Sequence, residues 1–265
     1  MRLWVNGVAA GRLVGAAMLA SITILFGPGV VQAQDAGKIL KAMSDYVGSQ
    51  KTISATFDAD IEVVTPEVQK IQFTNSGQVL LSRPDKLRAT RTGGYSDVEL
   101  IFDGKTLTVL GKNLDAFTQV DSPGSIDQLI DRLRDQFSVA MPGADLLRSN
   151  SYDELMMDVI DAKHIGRGVI DGVECEHLAF RNSETDWQIW VEVGSRPIPR
   201  KYVITSKAVG AAPQYTVRIK DWKTDVPIAA NAFEFTAPAG AKKVDLAALS
   251  NIDEVPHGIA AGGTK

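Results

Sequence analysis

Residues 53–63 read ISATFDADIEV. Ile53, Ala55, Phe57, Ala59, Ile61 and Val63 alternate with Ser54, Thr56, Asp58, Asp60 and Glu62. A period of two held this long describes a strand with one dry and one wet face, and it excludes a helix, which would scatter those residues around its axis. A long one-sided strand must lie in a sheet whose dry face is covered by another layer.

The same period continues down the chain. From Gln69 onward, Ile71, Phe73, Val79 and Leu81 share one parity, and Gly77 between them points to a bulge or sharp bend. Arg83-Pro84-Asp85 reads as a turn and residues 87–92 as a short strand. Val98, Leu100 and Phe102 then alternate with Asp97, Glu99 and Ile101 up to Asp103-Gly104, a two-residue hairpin turn. Counted outward from that turn, Phe102 opposes Lys105, Leu100 opposes Leu107 and Val98 opposes Val109. A further strand is expected over residues 115–121.

Helical spacing appears in three places. Ile39, Met43, Tyr46 and Val47 share a face within residues 35–47, with Gly48 as the stop. Ser125 with Gln128 forms a capping box ahead of Ile126, Leu129, Ile130, Leu133 and Phe137, opposite a charged face. Ser151 with Glu154 reads as a second capping box, ahead of Leu155, Met156, Val159 and Ile160. Strands resume near Ala162 and run to Trp222. Long alternating strands with a few helices grouped in mid-chain give an α+β class, mainly antiparallel β. The expected form is one curved sheet, a half-open β-barrel with a small group of lid helices on one face.

Residues 176–192, EHLAFRNSETDWQIWVE, hold a histidine, carboxylates and two tryptophans. With a loop over 182–185, Arg181 opposes Asp186, Phe180 opposes Trp187, Leu178 opposes Ile189 and His177 opposes Trp190. One face is then core, and the other carries Cys175, His177 and Trp190. Cys175 and His177, two apart on a strand, would stand about 6.5–7 Å apart at Cβ, too far for a nucleophilic pair unless the side chains lean together. A Cys/His-dependent enzyme is the least favoured function, and no catalytic residue is assigned. The three histidines, His164, His177 and His257, have no metal-ligand spacing, and neither a Walker nor a Rossmann glycine pattern is present, so no metal or cofactor is expected.

Arg2 and Arg12 precede an uncharged apolar run over residues 13–26, then Gly27-Pro28-Gly29 and Val31-Gln32-Ala33, the pattern of a secretory signal peptide cleaved after Ala33. Domain organisation follows: residues 1–33 a signal peptide, 34–250 one domain, and 251–265 a Gly- and Ala-rich disordered tail. Without residues 1–33 the chain keeps 26 basic against 32 acidic side chains, net −6, which argues against a nucleic-acid partner. No later run is long and apolar enough to span a bilayer. The lone Cys175 excludes an intramolecular disulfide, and a buried thiol is expected.

Several stretches together resemble a known group: RPDKLRATRTG (83–93), LIFDGKTLTVL (100–110), the run from DGVECEHLAFRN through DWQIWVEVGSRPIPRKYVITSK (171–207), PQYTVRIKDWK (213–223) and FEFTAPAGAKKV (233–244). In order and spacing they resemble a bacterial family of predicted periplasmic proteins of unknown function, over about residues 35–245. That family in turn resembles the LolA/LolB lipoprotein-carrier superfamily. The shared cues are an R-P-x-x-L/F-R strand start, an acidic-Gly hairpin and a terminal F-x-F-x-x-P-x-G. The resemblance implies a periplasmic location and an incomplete antiparallel barrel lidded by helices, over a cavity that in the carriers takes acyl chains. It sets Arg88 at the matching strand-start position.

The function expected is therefore non-enzymatic: a periplasmic protein holding a hydrophobic or lipid-like ligand. The wall would be Phe57, Ile61, Phe73, Val98, Leu100 and Phe102, with Ile130, Leu133 and Met156 from the lid and Arg88 at the strand start. The alternative is a protein-interaction or envelope-stress regulatory module on the same fold, with an envelope protein as partner.

Overall fold

The structure, a computed structural model, describes residues 28–259 except positions 138, 140, 247, 248, 250, 251 and 257. Residues 1–27 of the expected signal peptide lie outside that range. Helix α1 (Pro28–Ser49) comes first. A meander follows: β1 (Thr52–Val64), β2 (Lys70–Ser82), β3 (Lys86–Gly93), β4 (Asp97–Phe102), β5 (Thr106–Gly111) and β6 (Ala116–Asp121). The helical stretch holds α2 (Ile126–Asp135), a 3-10 turn (Ala144–Leu147) and α3 (Ser151–Met156). A second meander runs through β7 (Asp161–Ile170), β8 (Val173–Arg181), β9 (Thr185–Glu192), β10 (Pro199–Ser206) and β11 (Gln214–Thr224), and a short β12 (Lys242–Lys243) ends the series.

All these strands form one sheet in the order β12-β6-β5-β4-β3-β2-β1-β11-β10-β9-β8-β7. Pairing of β11 with β1 joins the two meanders, and β12 adds to β6 as the parallel pair. The outer strands β12 and β7 do not meet, so the sheet stays open. Direct cross-strand pairs share a face, so the parity of β1 can be followed from strand to strand wherever the register is unbroken. Ile53, Leu81, Leu87, Phe102 and Leu107 form one row of its inner face, and Val217, Tyr202, Ile189 and Leu178 continue another from Ala59.

The helices lie on that face. Ala36, Leu40, Met43 and Val47 of α1 are wholly buried, at the spacing of one helical stripe. With Ile126, Leu129, Ile130 and Leu133 of α2, Leu146 of the 3-10 turn and Leu155 of α3, they make a single core with the inner rows. Ser125 caps α2 in the expected box, its hydroxyl accepting from the Gln128 amide while the Gln128 side chain accepts from the Ser125 amide.

Three local expectations are corrected. At the Asp103-Gly104 turn, Phe102 pairs with Leu107, Leu100 with Val109 and Val98 with Gly111, two residues beyond the tight-turn register. The Asp103 carboxylate accepts from the amides of Lys105 and Thr106, which draws four residues into the loop. A slip of two preserves parity, so the same residues still face inward. At Gly77 the ladder is unbroken on both sides, with Phe57 and Arg91 as partners. The glycine serves a close approach instead: a Cβ there would stand 2.1 Å from the Thr90 carbonyl oxygen. Ser151 does not cap α3. It begins the helix, wholly buried, and its hydroxyl donates to Ser44 Oγ of α1 at 3.0 Å, a tertiary bond that outcompetes the local one. Helix α3 closes at Met156, and Ile160 beyond it is exposed.

Candidate functional site

The inner face divides into two zones along the strands. Under the helices it is filled: Phe102, Ile130 and Leu133 are buried in the common core, with Leu100, Val98 and Met156 packed partly buried against it. Further along β1 and β2 burial is mixed, Ala59 and Val63 being buried while their neighbours on the same face are part-exposed. Phe57 still packs against the core, whereas Ile61 and Phe73 pair in register beyond it and remain part-exposed. Ile204 and Tyr215 extend that outer row across β10 and β11.

Nine of the ten expected wall and lid positions thus lie on or over one face. Arg88 does not. It has the opposite parity to Leu87 and Ala89, so it stands on the outer face, where its guanidinium pairs with Glu99 at 2.6 Å and donates to the Ala232 carbonyl at 3.0 Å. Two grooves in the surface also lie away from the helices. One of about 570 Å³ follows the β6 edge along Thr118–Asp121 and Lys243–Leu246, and one of about 300 Å³ lies between Ile101, Thr108 and Phe233.

The same face carries a polar cluster that the alternation alone does not reveal. Arg91 shares its parity with Leu87 and Ala89 and so projects from the inner face, in the row of Phe57 and Val98. Its Nη1 lies 3.1 Å from Glu254 Oε1, and its Nη2 donates to Ser96 Oγ at 3.2 Å and to the Ile252 carbonyl. Ser96 Oγ donates to the Asp253 carbonyl at 2.7 Å. Residues 252–254, expected in a tail with little to bury, therefore lie against this face, and Ile252 packs on the core. Burial pushes the Glu254 carboxyl above its usual range although Arg91 opposes the shift. Burial likewise raises the Tyr215 phenol, which feels both Glu254 and Arg91. The signal for Arg91 was present: it is the one charged residue on the apolar parity of β3.

Polar contacts tie the helices to the sheet and to one another, among them the Ile126 amide to the Pro84 carbonyl at 2.9 Å. Arg83, half-buried at the β2–β3 turn, donates from Nη2 to the Val47 and Arg148 carbonyls, both at 3.4 Å. Its burial lowers its pKa from the usual guanidinium value. The Ser44 hydroxyl accepts from Ser151 Oγ and from the Tyr152 amide.

The mixed outer face of β8 and β9 keeps its one thiol buried. Its register is the expected one, with His177 opposite Trp190 and Phe180 opposite Trp187. The His177 ring stacks on Trp190 at 4.1 Å, and its Nε2 bonds Gln188 Oε1 at 2.9 Å. Cys175 is buried and donates to the Val173 carbonyl, and burial raises its thiol pKa, which suppresses the reactive thiolate. Among the described residues no group of His, Cys, Asp and Glu is placed to hold a metal ion, and no helix is long and apolar enough to cross a membrane.

A family model described as "Predicted periplasmic protein (DUF2092)" matches residues 36–247. An uncharacterized protein of Methanocaldococcus jannaschii is 22% identical over 237 residues, 87% of this chain and 61% of that protein, so the chain spans less than two thirds of this relative's length. Among solved structures, an uncharacterized conserved protein from Thermus thermophilus aligns with a TM-score of 0.49 at 10% identity, over 80% of this chain and 99% of that one. The Mycobacterium tuberculosis lipoprotein LppX aligns at 0.46 and 13% identity, over 74% and 99%. The Pseudomonas aeruginosa MucA/MucB complex aligns at 0.43 and 12% identity, over 80% of this chain and 64% of that one.

Proposed function

The chain belongs to the DUF2092 family of predicted periplasmic proteins, and on that premise we propose that it is an exported, non-enzymatic binding protein that holds a hydrophobic or lipid-like ligand against the inner face of its sheet. In this reading residues 1–33 are the signal peptide removed on export. The observation that carries it is a set of part-exposed apolar side chains on one face, Phe57, Ile61 and Phe73, standing among the buried Ala59 and Val63 of the same face. Neighbouring part-exposed apolar side chains on one face can serve as a binding surface.

Because the rows beneath the helices are filled, a ligand enters from the part-exposed zone and reaches Val98, Leu100 and Met156 only if the helices shift. The polar ties that resist such a shift include the two Arg83 bonds at 3.4 Å and the Ile126 amide to the Pro84 carbonyl at 2.9 Å. A buried acyl chain contributes about 0.8 kcal/mol per methylene, so ten methylenes supply on the order of 8 kcal/mol before the costs of association. Mild purification followed by native mass spectrometry tests the reading. An adduct of lipid mass, removed by solvent extraction and restored by added fatty acid, is the expected result. A protein that carries no lipid and takes up no fluorescent fatty acid sinks it.

A second reading, a protein-interaction module, draws on the β7 edge. Among the described residues β7 pairs with β8 and α1 packs alongside it, while Ile165 and Val169 of β7 stay exposed to solvent. Exposed apolar side chains of this kind can meet a protein partner. Cross-linking from Ile165→Cys that recovers one envelope protein in stoichiometric yield favours this module, and a diffuse pattern counts against it.

A further inference from the structure

The inner face of the first meander is mostly apolar, with Asn75 and Thr118 as polar exceptions and one charge, Arg91, that is already matched. Arg91 stands between Gly77 and Val98, with Phe57 across Gly77. Its partner, Glu254, arrives from the far end of the chain with Ile252, so a short acidic-apolar segment lies on the face proposed to take ligand. The fit is incomplete. Glu254 engages Nη1, while the buried Arg91 Nε has no hydrogen-bond partner among the described residues. Asn75 Oδ1, one step along the same face, is likewise buried and unpartnered.

We propose that Arg91 is the head-group site of this face, recognising the carboxylate of a single-chain amphiphile of the fatty-acid class, and that Glu254 with Ile252 is the chain's own occupant of that site, displaced when ligand binds. The inference rests on the reading of the inner face as the ligand surface and adds the chemistry of the head. A guanidinium offers a planar fork, and a free carboxylate can take Nε and an Nη together, which Glu254 on its backbone tether does not. Displacement of Glu254 returns a carboxylate to water, relieving the burial that raises its pKa. Chains leaving Arg91 run toward Phe57, Phe73 and Ile61, the half-covered apolar residues.

The test uses the full chain, with dodecanoate and dodecan-1-ol each displacing the neutral fluorophore N-phenylnaphthylamine. In the wild type the acid should bind more tightly than the alcohol. Arg91→Gln should weaken dodecanoate by about tenfold, the worth of a charge-assisted bond, and change dodecan-1-ol by less than about twofold. Arg91→Lys should fall between. Glu254→Gln should tighten dodecanoate several-fold by weakening the resident competitor. If both probes bind but their ratio is unmoved by Arg91→Gln, Arg91→Lys and Glu254→Gln, the head-group site is refuted while the ligand surface stands. If neither probe binds to the wild type or to Glu254→Gln, both readings fall. Should Arg91→Gln not fold by circular dichroism, Arg91→Lys and Glu254→Gln decide alone.

Discussion

Gly77→Ala adds one methyl group in the middle of β2, on the inner face. An ideal Cβ there would lie 2.1 Å from the Thr90 carbonyl oxygen and 2.3 Å from Cζ of Phe57, where ordinary contacts begin near 3.5 Å. Something must retreat by more than about 1 Å. The Phe57 ring can turn away. The Thr90 carbonyl belongs to β3, in register with Gln78, and cannot retreat without loosening the ladder. Overpacking of this kind costs about 1–3 kcal/mol, and a backbone obstacle puts it near the top of that range. Alanine recovers about 0.5–1 kcal/mol of chain entropy relative to glycine. The net loss is about 2 kcal/mol, or a fall in Tm of roughly 4–8 °C for a domain of this size. Urea unfolding followed by tryptophan fluorescence, with Tm from circular dichroism, measures it. In a Phe57→Ala background the loss should shrink, and the remainder reports the Thr90 carbonyl alone, with a coupling of about 0.5–3 kcal/mol. A Gly77→Ala variant as stable as the parent refutes the claim that close backbone approach is why glycine stands here.

Leu40→Ala empties a wholly buried position where α1 meets the sheet and should cost about 2–5 kcal/mol in the same unfolding assay, whereas a loss below about 1 kcal/mol would mean that α1 is not part of the core. Arg83→Met keeps the stem but removes both long bonds to the helical segments, so uptake of N-phenylnaphthylamine should quicken while overall stability falls by about 1 kcal/mol; unchanged uptake kinetics would show that Arg83 does not restrain the helices. The Asp186 carboxyl, held by Arg181 and also bonded by Lys207, is lowered to about 2. Its contribution is therefore present above the ordinary carboxylate value of about 3.9 and is lost as pH falls toward about 2, and Asp186→Asn should flatten the acid limb of the stability profile in that window; an unaltered limb would contradict the assignment. Cys175 should react with iodoacetamide only at the rate of unfolding, and Cys175→Ala should leave ligand uptake intact; rapid alkylation of the folded protein would reopen a chemical role for the thiol.

Parity was legible in the residues themselves. The alternation from Ile53 to Val63 and from Val98 to Phe102 settled which side chains face inward, because the pleat allows each residue only one of two faces. Where two strands join through a short loop, as between Arg181 and Asp186, the pattern even reached the correct pairs. The same local logic missed by two residues at Asp103, where a side chain bonds into the turn, and it failed for Ser151, whose hydroxyl found Ser44 on a distant helix. Only the assembled sheet decided the rest. It filled the space beneath α1 and α2, left Ile61 and Phe73 half-covered beyond them, turned Arg88 to the outer face, and met Arg91 with a carboxylate from the far end of the chain. A period in the sequence reports the direction of a side chain, whereas its partner depends on which remote segments the closed chain brings alongside.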